Sequence, residues 1–420
     1  LDPACVVDLL DGSQPIKLWH DPKKWEKERI KQFPKTQYFW KFCSFLHQSN
    51  WSIASRDPVL PIRNHWDLIQ LLKAIRLNNV PPTFFSTISV ADLLKICGCW
   101  QDKRLRQFLD LQLRLYSQEN IENTAALYGA TVLHMAQAPI GLWHLDGSMQ
   151  KLSDQLESCI LRDKGKLLLR HRVVRLKFLT KDKLWEVEAL DQEGKTLIFQ
   201  SPDIISSLPP QSLNSLIPEN GGMPNRYRKK LENLPKPTGA IVLYGVINRN
   251  SLGDKSSSHF QINSRILGSI FISISLDGDG RAPLGKATLI ASVFADIDDW
   301  SGLNPQDYKL KKKKIFGIIL HELNAYFDFA PQDWLHQELS TPRSFLKWTG
   351  RPNGIVGGLG QNPYNFGLFG LPSRTPMKGF WLCGDSIYPG EGTAGVSQSA
   401  LMACKQLIAT RGGKALNLPG

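Results

Sequence analysis

Residues 381–403 read WLCGDSIYPGEGTAGVSQSALMA and concentrate the residue types from which a binding site for a large flat anionic ligand can be made. An apolar run ends at Gly384-Asp385, where a carboxylate can accept hydrogen bonds from a sugar-like hydroxyl. Gly390, Gly392 and Gly395 follow, and glycines let a backbone approach a ligand without Cβ clashes. A helix starting near Gly395 would aim its free N–H groups and positive dipole end at phosphate or at an electron-rich ring edge. Tyr388 and Glu391 flank these glycines and are the polar groups placed to contact a ring or accept a proton. On spacing alone, an ordinary strand–turn–helix closing a domain fits equally well.

The rest of the chain must position this tail. Residues 5–19 read as two short strands with Asp11-Gly12 near the bend. From residue 21 to about 77 the spacing is helical, with Asp21 as N-cap and Pro22 in the first turn. Pro81-Pro82 should break it before SVADLLKICG, which Ser89 can cap and Gly98 can stop. Residues 104–118 and 123–137 predict two more helices. At Gly147 the character changes: one helix, a turn at Lys164-Gly165, then short strands to about residue 210. Three strong strands are expected between about 238 and 295, and a long helix from about 308 to 327. Residues 342–376 read as loop, and a last strand, glycine loop and helix close the chain.

At 420 residues the chain is long enough for two domains, and 42% hydrophobic with 21% charged residues is a globular composition. No run approaches the ~20 apolar residues a spanning helix needs. The seven cysteines form no CxxC pair, which points to free thiols and a reducing compartment. The net charge of +13 is spread out, with one dense run at Lys309 to Lys314. No nucleic-acid motif accompanies it, so it reads as a solvated helix turn or, second, a membrane-surface contact. There is no GxSxG, and His321 in HELNAYFDF lacks the second histidine of HExxH, so it reads as an ordinary helix residue and no metal is expected.

With these residues in view, the tail resembles the C-terminal signature of the FAD-dependent carotene desaturases and carotenoid isomerases, within the amine-oxidase-like flavoproteins. Its form GDSIYPGEGTAGVSQSAL is most similar to the cyanobacterial carotenoid 3',4'-desaturase branch. The stretches at 56–68, 104–118, 141–156 and 341–361 resemble the same proteins in the same order, so the resemblance covers nearly the whole chain. It implies a mixed α/β (α+β) fold, in which a Rossmann-like FAD-binding domain is interleaved with a substrate domain of mixed sheet and helices. Residues 1–145 and 211–375 would form the substrate domain, and 146–210 and 376–420 the FAD-binding domain. Asp385 would bind the ribityl or pyrophosphate region, and Gly392, Thr393, Ala394, Gly395 and Val396 would run past the isoalloxazine ring. Gly147, Ser148 and Met149 match a Gly-Gly-Met segment, with Ser148 in place of the second glycine. Val173 or Val174 would contact the adenine. Family members begin with a βαβ unit whose GxGxxG holds the pyrophosphate. Here GGLGQN at Gly357 lacks the flanking strand and helix, so the N-terminal nucleotide unit is expected to be missing from the chain as given, and without it FAD would bind poorly.

The resemblance implies desaturation: hydride leaves the carotenoid for flavin N5, a neighbouring proton departs and conjugation extends. The cofactor supplies that chemistry, and the protein supplies alignment and a dry tunnel. A cis–trans isomerase using FAD without net redox, and a non-catalytic remnant that binds without the nucleotide loop, are the alternatives. The implied partners are a lipophilic carotenoid, a quinone or oxygen as electron acceptor, and no nucleic acid. Peripheral attachment to the cytoplasmic side of a cyanobacterial or plastid-like membrane is expected. The helix at 66–76 would serve there as an interfacial segment, or alternatively as a lid or core helix.

Overall fold

The computed structural model describes residues 2–135, 143, 145, 148–255 and 257–412. Alternating apolar residues produce its strands. β1 (Cys5–Asp8) and β2 (Ile16–Leu18) form the expected hairpin. β3 (Arg172–Leu179), β4 (Leu184–Leu190) and β5 (Thr196–Ser201) form an antiparallel meander. β6 (Ile204–Ser206) pairs in parallel with β12 (Phe380–Leu382). Between them in sequence lie β7 (Gly239–Asn248), β8 (His259–Ser264), β9 (Gly268–Ile274), β10 (Lys286–Ala295) and β11 (Trp334–Ser340). With the first hairpin these build a seven-stranded mixed sheet in the order β11-β7-β10-β9-β8-β1-β2. Its one parallel pairing, β1 with β8, carries the hairpin onto a sheet formed some 250 residues later.

The helical stretch expected over 21–77 is divided into α1 (Pro22–Gln32), α2 (Gln37–Ala54) and α3 (His65–Ala74). Pro34 ends the first, because proline cannot donate within a helix. Asp57, in the left-handed region at φ 52°, and Pro58 follow the second. Pro81 and Pro82 do not break the chain but open the one-turn α4 (Val80–Thr83), where the missing N–H costs nothing. α5 (Val90–Ile96) carries the expected cap: Ser89 accepts from the Asp92 N–H at 3.1 Å while Asp92 reaches back to Ser89. α6 (Lys103–Ser117), α7 (Ala126–Met135) and α8 (Gln150–Arg162) follow the predicted stretches. Short α9 (Leu213–Leu216) and α10 (Asn225–Glu232) precede the long α11 (Pro305–Phe327). α12 (Pro342–Thr349) lies where loop was expected. α13 (Gly392–Thr410) begins three residues before the expected start.

Three apolar clusters hold these elements. The first packs α1, α2 and α5–α7 on the N-terminal hairpin, around Phe33, Phe39, Phe108 and Leu109. The second lies between the large sheet and α11, around Leu289, Ile272 and Leu323. The third joins β3, β4, α9 and α10 to β12 and α13, around Trp185, Phe380 and Leu382. All seven cysteines are free thiols. Among the described residues no helix is long and apolar enough to cross a membrane, and no cluster of His, Cys, Asp or Glu is arranged for a metal.

Candidate functional site

β12 delivers the chain to Gly384, whose φ of 110° only glycine adopts freely, and the Gly384 N–H donates to Ser399 Oγ at 2.9 Å. This ties the strand to the second turn of α13 and leaves Asp385 to Glu391 as the crossing between them. Gly395 is buried, and a Cβ there would stand 2.3 Å from the Gly390 carbonyl oxygen. That close approach is why the helix can start at Gly392. Four N–H groups of its first turn have no intrahelical partner.

They open onto a cavity of about 1010 Å³. Asp385, Tyr388, Glu391, Gly392, Thr393, Ala394, Gly395 and Val396 all contribute to its wall. The large sheet supplies Phe271, Val293 and Phe294, while α2 and α6–α7 supply Trp51, Tyr116 and Tyr128. The structure thus brings the whole tail set together on one cavity lined mainly by apolar and aromatic groups. Val174, Ser148 and Met149 are not part of that wall. Val174 sits at an irregularity in the β3–β4 pairing, and Ser148 and Met149 immediately precede α8. Gly147 lies outside the described residues.

Glu391 is the N-cap of α13, yet its side chain turns away from the helix. Its Oε2 accepts from the Gly358 N–H at 3.1 Å and from Gln118 Nε2 at 3.0 Å. Burial pushes its carboxyl up to about 7, with the Asp385 charge adding to the effect and these two hydrogen bonds and Arg351 opposing it. Gln118 in turn accepts from the Thr238 hydroxyl. Asp385 is ion-paired with Arg351 at 2.9 Å. Burial pushes the Tyr388 phenol up to about 12, so at neutral pH it is a donor and not a base. His321 lies exposed on α11, and the lysine run occupies the first half of the same helix, where Lys311 Nζ donates to the Asp299 carbonyl at 2.7 Å.

Gln118, Arg351, Gly357 and Gly358 are site residues the sequence reading assigned no role. GGLGQN at 357–362, which failed as a nucleotide loop, is a seam between the tail and the end of α6. A Cβ at Gly358 would lie 2.1 Å from the Asp385 carbonyl, and one at Gly357 2.1 Å from Gln118 Nε2. Gln361 closes the seam through its N–H to the Ser117 carbonyl at 3.0 Å. Gly357, Gly358 and Gly360, inside the 341–361 stretch, were the available signal. What they approach is more than 25 residues away on one side and more than 200 on the other.

No family model matches the chain. Over 148 residues it is 32% identical to the chloroplastic prolycopene isomerase of Arabidopsis thaliana, covering 34% of this chain and 25% of that protein. The chloroplastic prolycopene isomerase of Daucus carota is 31% identical over the same length, or 24% of that protein. The matched region thus spans about a quarter of these curated relatives. Among solved structures, cyclohexylamine oxidase from Brevibacterium oxydans IH-35A superposes with a TM-score of 0.57 at 14% identity, over 96% of this chain and 79% of that one. Putrescine oxidase bound to putrescine gives 0.56 at 16% identity, over 97% and 81%. The chain therefore has the fold of these amine oxidases and, over about a third of its length, sequence relatives among the prolycopene isomerases.

Proposed function

We propose that this chain is part of a flavin-dependent enzyme acting on a carotenoid, and that its reaction is desaturation, at the 3',4' bond of an acyclic or monocyclic polyene. The observation that carries the reading is the large apolar cavity ending at the α13 N-terminus and its glycines. A ring system fits there: Gly392 has open space where a Cβ would stand, and the first-turn N–H groups suit an electron-rich edge. When bound, FAD supplies the hydride acceptor. Gly392, Thr393, Ala394, Gly395 and Val396 would hold its ring, and Asp385 its ribityl or pyrophosphate portion. Val174 would contact the adenine, and Ser148 and Met149, on the segment that re-enters the FAD-binding domain, would also touch the cofactor. In this reading 1–145 and 211–375 form the substrate domain, and 146–210 and 376–420 the FAD-binding domain.

The chain's own residues do three things. Apolar walls around Phe271, Val293 and Phe294 exclude water and align a lipophilic polyene. Glu391 keeps Oε2 engaged with Gly358 and Gln118, which leaves Oε1 to take a proton near neutral pH. Tyr388 stays protonated and positions a ring or chain end. Quinone or oxygen would reoxidise the cofactor, and a peripheral membrane contact would deliver the substrate.

The names of the relatives favour a second reading on the same site, cis–trans isomerisation without net redox. Product mass separates the two. The gene, with any adjoining coding sequence, is expressed in bacteria that accumulate acyclic or monocyclic carotenoids, and the pigments are weighed. Loss of two hydrogens with a red-shifted spectrum is the expected result. Unchanged mass with altered retention establishes the isomerase, and unaltered pigments leave the non-catalytic remnant.

A further inference from the structure

A second cavity, of about 250 Å³, lies between α1, α2 and α7 and shares no described wall residue with the first. α7 stands between the two. Its Tyr128, Thr131, Val132 and Met135 line the large cavity, while Leu133 and His134, on the other side of the helix, line the small one. The apolar wall of the small cavity is Leu133 with Trp25 and Trp40, two indoles that meet edge-on at 5.8 Å. Trp40 commits its N–H to Thr36 Oγ1 at 3.1 Å, so it offers the cavity only ring surface.

Arg29 is set against both rings, its guanidinium carbon 5.6 Å from the Trp25 centroid and 5.5 Å from that of Trp40. Such a contact uses the charge but none of the N–H groups, which still need acceptors. Arg29 finds none among the described residues, and its Nε is shut away from solvent without a partner. Burial pushes the guanidinium down from its ordinary value; Glu26, one turn earlier on α1, opposes this without forming an ion pair. A half-buried cation held without a counter-charge is costly. Around it the wall carries further donors: the Lys41 ammonium, the Ser44 hydroxyl and the His134 imidazole have no hydrogen bond or ion pair to a described residue. His134 is stacked on His47 at 4.2 Å, and burial, then the Arg29 charge, push it down, so at neutral pH it is an uncharged ring with one N–H to donate. Glu26 is the one carboxylate on the described wall.

We propose that this cavity binds a small organic carboxylate, its oxygens held by Arg29, Ser44 and His134 and its apolar body enclosed by Trp25, Trp40 and Leu133. The guanidinium fork matches a carboxylate in geometry as well as in charge. A metal cation would be repelled by Arg29, and an inorganic oxyanion would leave the indole and leucine surface without a partner. The volume is below the roughly 300 Å³ at which sites for drug-sized ligands begin, so a single ring or a short chain fits and a long polyene does not. The site uses neither a flavin nor a carotenoid and stands apart from the reading of the large cavity.

The test is isothermal titration calorimetry of the full chain, expressed with any adjoining coding sequence, against benzoate and against inorganic phosphate. Benzoate is expected to bind at one site with a Kd of about 1 mM or below, and at least about tenfold more tightly than phosphate. Arg29→Met should weaken benzoate binding by about tenfold or more. Ser44→Leu keeps every charge but fills the cavity, and should weaken it as much. Lys313→Met, on the exposed side of α11, controls for the loss of one positive charge and should bind as wild type. Thermal melts verify that each variant is folded, and Ser44→Leu decides the question if Arg29→Met is not. Absence of benzoate binding, or phosphate binding as tightly as benzoate, would overturn the proposal. So would folded cavity variants that bind as wild type, since the benzoate would then sit elsewhere, for instance at the α13 N-terminus.

Discussion

The Gly358 N–H donates to Glu391 Oε2 at 3.1 Å, and a side chain at position 358 would overlap the Asp385 carbonyl. This contact fastens the 357–361 loop against both ends of the tail crossing. It also removes Glu391 from the capping role its position predicts. The α13 N-terminus is left facing the cavity with its donors free, and its nearest carboxyl is poised between charge states.

That poise makes stability depend on pH. Glu391 has a folded-state value of about 7, above its ordinary 4.5. The folded chain therefore binds the extra proton, and the contribution is fully present below 4.5 and lost as pH rises through 7. Glu391→Gln should flatten the fall in melting temperature between pH 5 and 8, making the variant more stable than wild type at pH 8 by about 2 kcal/mol. Thermal melts across that range check it.

Gly392 and Gly395 should respond to alanine for different reasons. At Gly395 the new Cβ meets the Gly390 carbonyl at 2.3 Å, and the crossing must move, at a cost of about 2–4 kcal/mol and with loss of flavin uptake. At Gly392 there is open space but a φ of 84°, which costs an alanine about 1–2 kcal/mol. Denaturant melts, and flavin absorbance of the protein expressed with any adjoining coding sequence, distinguish the two.

Arg351→Met removes the partner of Asp385, leaving a partly buried carboxylate uncompensated, and should destabilise by about 1–3 kcal/mol. It also removes a charge that lowers the Glu391 value, so the pH transition of the first experiment should move upward. Adding Asp385→Asn should recover part of the stability, a non-additivity that a double-mutant cycle measures.

His47 gives the opposite pH dependence. It is buried, stacked on His134 at 4.2 Å, and its Nδ1 has no hydrogen-bond partner among the described residues. Burial first, then the second imidazole, pushes it down to about 4. The unfolded chain binds the extra proton, so this stability is present above 6.5 and lost as pH falls through 4. His47→Leu should lessen acid sensitivity in that window by about 2 kcal/mol, read from urea melts at pH 4.5 and 7.

Much of the fold was legible because its causes are local. Ser89 with Asp92, the alternation of β10 and the Asp11-Gly12 hairpin each act within a few residues. The elements that were missed depend on distant partners. β8 contains a fully buried Gln261, which pairs with Gln112 at 2.6 Å; such a polar pair is invisible to a hydrophobicity pattern. β11 is an edge strand with Leu335 exposed, so it shows no clean alternation. The start of α13 was placed three residues late because Gly392 reads as loop until its approach to the cavity is known.

By itself the sequence determined the tail: a strand, a carboxylate, spaced glycines and a helix, since these interact along one short stretch. Only the tertiary structure decided what that tail faces. The Gln118–Glu391 hydrogen bond, the Arg351–Asp385 pair and the apolar cavity join residues separated by 34 to more than 270 positions. Their energies come from burial, which no local pattern carries. The same holds for Glu391: its residue type was visible from the start, but its charge state near neutral pH is set by the seam that closes over it.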